Sequence, residues 1–201
     1  MAISLFGRLD ELLRFEDFRD LQAHQEDVAR TFEALGLENG QRYLSIGIGR
    51  NKLPPFFALY GGIDVVGIDI DQRRVEYCNS LASKFKLLLE EANGSLNAYI
   101  FDIINGSKIE ESICNFDIVE CVNFTRRYNS RELAQILLSL GKEESAYLAS
   151  LFGGVGGREN TLVHAIIAEA ARNNKKYEVI ADNLLVSDKY KDSRTALIKV
   201  Y

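Results

Sequence analysis

The segments Tyr43-Leu-Ser-Ile-Gly-Ile-Gly49 and Val65-Val-Gly-Ile-Asp69-Ile-Asp71 decide how this chain is read. Both are short apolar runs, and they end in different chemistry: glycines after the first, carboxylates after the second. Leu44, Ile46 and Ile48 predict a buried strand. Gly47 and Gly49 then remove the side chains that would hold a ligand away from the backbone. Val65–Ile70 is rich in β-branched residues, long enough for a strand and too short for a helix. Asp69 stands 20 residues after Gly49, the interval at which a nucleotide-binding βαβ unit places its ribose carboxylate. Arg50 stands where a third close glycine is expected, so the two glycines alone fit a plain tight turn equally well. The carboxylate at the right interval and strand end favours a site for an adenosine-containing ligand.

Bulk properties narrow the field around that motif. A chain of 201 residues with 47% hydrophobic and 26% charged residues has globular composition and suffices for a sizeable core. A net charge of -5 argues against a general electrostatic grip on nucleic acid. Cys78, Cys114 and Cys121 form no CxxC, and His24 and His164 lie far apart, so no zinc-ligand spacing is present. Reduced thiols in a cytoplasmic protein are the plain expectation. The first ten residues meet charge too early for a secretory segment, and no apolar run reaches membrane length.

Outward from the motif, the pattern alternates. Residues 1–40 are expected to form an N-terminal helical extension, with Leu9, Leu12, Leu13, Phe15, Phe18, Leu21, Val28, Phe32 and Leu35 as its apolar stripe. Packing against the domain is the plain reading of this extension; a substrate lid or the face of a homodimer are the functional ones. Pro54 or Pro55 is placed to open a short helix that Gly61 and Gly62 end. A helix is predicted over Gln72–Glu91, capped by Asp71, and another capped by Ser130, with Gly141 at its exit. A last helix is expected from Glu159 to Arg172, with His164 as a packing residue. Further strands are predicted at Ala98–Ile103, Phe116–Val122, Ala146–Phe152, Tyr177–Val186 and Thr195–Tyr201. Only eight residues, Ser187 to Arg194, join the last two, too few for a helical crossover, so this pair is antiparallel. With no linker or repeat to divide it, the chain from 41 to 201 reads as one α/β domain: a mostly parallel seven-stranded sheet between helices, closed by an antiparallel strand.

This arrangement resembles the class I S-adenosylmethionine-dependent methyltransferases, a Rossmann-like family. Leu44-Ser-Ile-Gly-Ile-Gly49 resembles the family's first motif, Val66-Gly-Ile-Asp69-Ile70 its second, Phe101-Asp102-Ile103 its third and Phe116 to Val122 its fourth. The resemblance implies S-adenosyl-L-methionine as cofactor. It places Ser45, Gly47, Ile48 and Gly49 at the methionine part, Asp69 on the ribose hydroxyls and Ile70 on one adenine face. Asp102 and Ile103 would then lie at the adenine edge, and Cys121 beneath the transferring methyl. Ser45 stands where the family often has an acidic residue that helps hold the amino-acid end of the cofactor. Asp69 and Asp71 equally suit helix capping, and Asp102 a turn. No Asn-Pro-Pro-aromatic or Asp-Pro-Pro-aromatic tetrapeptide follows the fourth strand and no Pro-Cys motif occurs, which speaks against methylation of DNA bases.

Methyl transfer needs an in-line nucleophile beside the sulfonium methyl, and a base only when that nucleophile carries a proton that must leave. The candidates therefore sit where strands end. Glu120, Asn123 and Tyr128 are candidate catalytic groups; Arg126, Arg127 and Arg158 are candidate cations for an anionic small-molecule substrate. The competing readings are a non-catalytic protein that keeps the fold for cofactor binding or assembly, and an NAD(P)-binding oxidoreductase. The missing third glycine and the antiparallel ending count against the oxidoreductase.

Overall fold

The computed structural model describes residues 11–22, 25–106, 114–121, 129–150, 162–182 and 195–201. Strand β1 is Arg42–Ile46, with its last four residues buried. It pairs in parallel with β2, Asp64–Asp69, on one side and with β4, Phe116–Cys121, on the other. Outside β2 lies β3, Ser95–Ile100; outside β4 lie β5, Gly141–Ser150, then β7, Thr195–Val200, and β6, Tyr177–Asp182. The order is β3-β2-β1-β4-β5-β7-β6, and β7 runs antiparallel to both of its neighbours. The sequence predicts this sheet, including its closing antiparallel pair.

Helices cover both faces because every central strand is apolar on both sides. One face packs against α1 (Arg19–Gln22), α2 (Gln25–Leu35), α3 (Leu53–Gly61), α4 (Gln72–Lys84) and α5 (Lys86–Ala92); the other packs against α6 (Ser130–Leu140) and α7 (Leu162–Arg172). Helix α3 opens on Leu53-Pro54-Pro55, and each residue from Leu53 to Leu59 is buried. Its ring system, Phe56 and Phe57, meets Phe18 from the N-terminal segment, Phe32 from α2 and Tyr43 from β1 at centroid distances of 5.8–6.0 Å.

Four local expectations shift. The helix expected over Gln72–Glu91 breaks at Phe85, whose ring is pulled inward against Phe15 and Phe18 while its backbone leaves the helical region at φ -104°, ψ 19°. Strand β3 starts three residues early, at Ser95, because Asn93 ends α5 in the left-handed conformation and Gly94 follows without a loop. It stops at Ile100, because Asp102 turns the chain. Asn129, one residue before Ser130, caps α6, its Oδ1 accepting from the Arg131 and Glu132 amides. Strand β5 begins directly at the end of α6, where Lys142-Glu-Glu144 hides its first residues in charge.

Candidate functional site

A parallel sheet places its binding crevice where the strand order reverses, beyond the carboxyl ends of the strands. Here the chain moves outward from β1 to β2 and β3, then returns to β4, so the switch lies between β1 and β4. The glycine turn leaves β1 at that point. Gly47 and Gly49 take φ +71° and +55°, a region in which a side chain is strained. The Gly47 and Ile48 amides both donate to the Ile68 carbonyl, at 2.8 and 3.1 Å, which folds the turn back over β2.

Asp69 fastens this fold-back. It is buried, and its Oδ2 accepts from the Gly49 amide at 3.0 Å while Oδ1 accepts from the Asp71 amide at 2.9 Å. The Arg74 guanidinium lies 3.6 Å from Oδ2 and 3.5 Å from Asp71. A carboxylate has about four acceptor positions, so the ribose role implied for Asp69 is left with limited capacity. Asp71 caps α4 by accepting from the Arg73 amide, as its sequence position predicts.

The other sequence candidates separate into open and closed positions. Ile70 is 54% exposed at the end of β2, an apolar side chain held at the crevice. Gly47 is exposed too. Ile48 gives its amide to the turn while its side chain is buried against β2; a Cβ on Gly67 would lie 2.4 Å from Ile48 Cδ1, so that glycine makes room for it. Ile103 and Cys121 are buried in the core on the α6–α7 side, and burial pushes the Cys121 thiol up. The Asp102 carboxylate accepts from the Ile104 and Asn105 amides at 3.1 and 3.3 Å and from the Asn105 side chain at 3.0 Å, which is the turn role that the sequence leaves open for it. Arg50 does not fill the turn: its exposed guanidinium lies 5.9 Å from the Tyr77 ring centroid on α4. His164 is exposed rather than packed, because it lies on the outer face of α7. Asn123, Arg126, Arg127, Tyr128 and Arg158 lie outside the described residues.

Beneath the turn is a polar group that the motifs do not reveal. Ser45 on β1 is in register with Glu120 on β4, and both are buried. Asn51, just past the glycine turn, donates from Nδ2 to Glu120 Oε1 at 3.0 Å, while its Oδ1 accepts from the Leu53 amide at the start of α3. Burial pushes the Glu120 carboxyl up to about 7, against the opposing pull of the Ser45 and Tyr43 hydroxyls and the Asn51 amide. The Tyr43 hydroxyl is near enough to interact with Glu120, yet it and Glu120 Oε2 are both buried without a hydrogen-bond partner among the described residues. Sequence reading missed Asn51 and Arg74, whose roles depend on strand register. The one available signal was a polar residue, Asn51, two positions before an apolar helix. Among the described residues no His, Cys, Asp and Glu are grouped to hold a metal ion, and no helix is long and apolar enough to cross a membrane.

No protein-family profile and no curated protein matches this chain. Solved structures do. The YcgJ protein of Bacillus subtilis is similar over 88% of this chain and 98% of its own, at 14% identity and a TM-score of 0.61. A TehB-like SAM-dependent methyltransferase of Corynebacterium glutamicum matches 96% of this chain and 97% of its own, at 15% identity and a TM-score of 0.55. A SAM-dependent methyltransferase of Thiobacillus denitrificans, in complex with S-adenosyl-L-homocysteine, matches 87% and 90%, at 14% identity and a TM-score of 0.54. With strand order, glycine turn and these likenesses in agreement, the chain has the fold of the class I S-adenosylmethionine-dependent methyltransferases.

Proposed function

We propose that this chain binds S-adenosyl-L-methionine in the β1–β4 crevice and directs methyl transfer to a small-molecule acceptor. The observation that carries the reading is the turn itself: two left-handed glycines at the switch point of the sheet, the second tied by its amide to the buried Asp69 carboxylate. The residues fit the group. Gly47 leaves exposed backbone at the turn, Ile70 presents an apolar surface to the adenine, and the unpartnered Glu120 oxygen marks a polar position beneath the turn. Gly47 and Gly49 would receive the methionine part, with Asp69 and Ile70 beside the nucleoside.

When bound, the cofactor supplies an electrophilic methyl group on a sulfonium. The protein's share is to hold the acceptor in line and to keep water out, and such positioning accounts for much of the acceleration in transfers of this kind. A cytoplasmic setting accords with an odd count of three cysteines and no CxxC spacing.

Isothermal titration of the whole chain with S-adenosylmethionine, S-adenosylhomocysteine and NAD tests this reading. Saturable binding of the first two and refusal of NAD supports it. Refusal of both adenosyl ligands overturns it and leaves the non-catalytic reading, which the heavily engaged Asp69 carboxylate would then explain.

A further inference from the structure

Three carboxylates are buried among the described residues: Asp69, Glu120 and Glu169. Two of them have a guanidinium beside them. Arg74 stands 3.6 Å from Asp69; Arg172 and Arg131 stand 2.8 and 3.5 Å from Glu169, which also accepts from Gln135. Among the described residues Glu120 meets only neutral groups, the Asn51 amide on Oε1 and the Ser45 and Tyr43 hydroxyls nearby, and its Oε2 has no hydrogen-bond partner. A buried carboxylate without a cation is costly, and an incoming cation relieves that cost. Its position makes the absence informative. Glu120 lies opposite Ser45 in the β1–β4 register, next to the strand position where the resembling family often has its acid.

We propose that Glu120 supplies, from β4, the carboxylate that pairs with the ammonium group at the amino-acid end of the bound cofactor, in place of the acid absent at Ser45. This assignment rests on the cofactor reading above. Glu120 is buried and its Oε1 already accepts from the half-buried Asn51 side chain, so pairing requires that side chain to swing aside, which also releases the Leu53 amide that its Oδ1 accepts from. No bond is made or broken. The role is charge pairing with the ligand.

The test compares S-adenosylhomocysteine with 5′-deoxy-5′-methylthioadenosine, which keeps the nucleoside and thioether but lacks the amino-acid end. Calorimetric affinities are measured on the whole chain. Glu120→Gln is expected to weaken S-adenosylhomocysteine by about tenfold or more, the scale of a charge-assisted hydrogen bond, and to leave methylthioadenosine within about twofold. The double variant Ser45→Asp/Glu120→Gln moves the carboxylate to β1 and is expected to recover affinity for S-adenosylhomocysteine. Wild-type affinity for that ligand is also expected to rise between about pH 6 and about pH 8, as the carboxylate forms, and the glutamine variant to lose this rise. The groups facing Glu120 are Tyr43 and Ser45 from β1, Asn51 from the turn and Leu148 from β5, with Cys121 next in sequence. Of these, burial pushes both Tyr43 and Cys121 up, away from that window.

An equal loss for both ligands would assign Glu120 to structure alone and overturn the proposal. So would no loss for either, or a wild-type protein that binds methylthioadenosine and refuses S-adenosylhomocysteine. Refusal of both ligands by the wild type overturns the cofactor reading itself. Methylthioadenosine binding by the glutamine variant doubles as the control that its site is folded.

Discussion

The ends of β2 and β4, on either side of β1, carry buried carboxylates, Asp69 and Glu120, and the two are treated in opposite ways. Asp69 is tied by two backbone amides and a guanidinium; among the described residues Glu120 has one side-chain amide, two nearby hydroxyls and a buried oxygen without a partner. The first arrangement builds the turn. The second leaves binding capacity in reserve, because a carboxylate already saturated by its own protein has little to offer a ligand. Motif position therefore does not decide function in this crevice. The number of acceptor positions left over does.

The sharpest way to break this contrast is Asp69→Ala. It strands the Gly49 and Asp71 amides, and the expected loss is about 3 kcal/mol of stability, at about 1–3 kcal/mol for each buried donor left unpaired, together with loss of ligand binding. Urea denaturation read by circular dichroism measures it; a stability within error of wild type would show that the clasp is dispensable. Glu120→Gln should behave in reverse at neutral pH, losing ligand affinity without losing stability.

The pH dependence sharpens the contrast further. Glu120 is raised from 4.5 to about 7 in the folded chain. The folded state therefore binds the proton more tightly than the unfolded one. This group's contribution is fully present below about pH 4.5 and is lost as pH rises toward 7, by about 3 kcal/mol at most. Denaturation midpoints of wild type and Glu120→Gln, compared between about pH 5 and pH 8, should diverge with the wild type falling relative to the variant. Parallel curves would mean that the carboxylate is better solvated than its burial implies.

Smaller effects probe the frame around the two carboxylates. Gly67→Ala drives a methyl into Ile48, with Cδ1 at 2.4 Å and Cβ at 3.2 Å from it, and should cost about 1–3 kcal/mol by overpacking, read as a lowered thermal midpoint. Asp102→Ala removes turn bonds near the surface and should cost about 1 kcal/mol in the same assay. A matching loss of adenosyl-ligand affinity in that variant would return Asp102 to the adenine edge.

These contrasts also show how far the sequence could be read. The two decisive runs were legible because Leu44–Ile48 and Val65–Ile70 are locally apolar and end in residues of unmistakable turn and acid chemistry. The mostly parallel sheet followed from alternation and its antiparallel close from one short connection. The early stop of β3 was not legible, since Ile100-Phe101 and Ile103-Ile104 look equally strand-like until the Asp102 side chain turns the chain between them. The helix break at Phe85 was hidden for a similar reason: the residue fits the helical stripe and is claimed by distant aromatic rings. Glu120 could be singled out as an acid in an apolar strand, but its neighbours could not. Its relation to Ser45 is a matter of register between strands about 75 residues apart, and that to Asn51 of a turn closing over the next strand.

Helix α3 carries a consequence for how this molecule comes into being. It has no wet side: residues Leu53–Leu59 are buried, and Leu12, Leu13, Phe18 and Leu21 belong to the same core. A chain begun at Gln41 would lay bare Phe56, on which the Phe18 ring rests, with about 1.5–3 kcal/mol at stake for each large apolar side chain so exposed. The glycine turn sits directly before α3, so its shape depends on the N-terminal segment although the two do not share a motif. Refolding should accordingly be a single cooperative transition in which the ligand crevice and residues 12–37 gain protection from hydrogen exchange together.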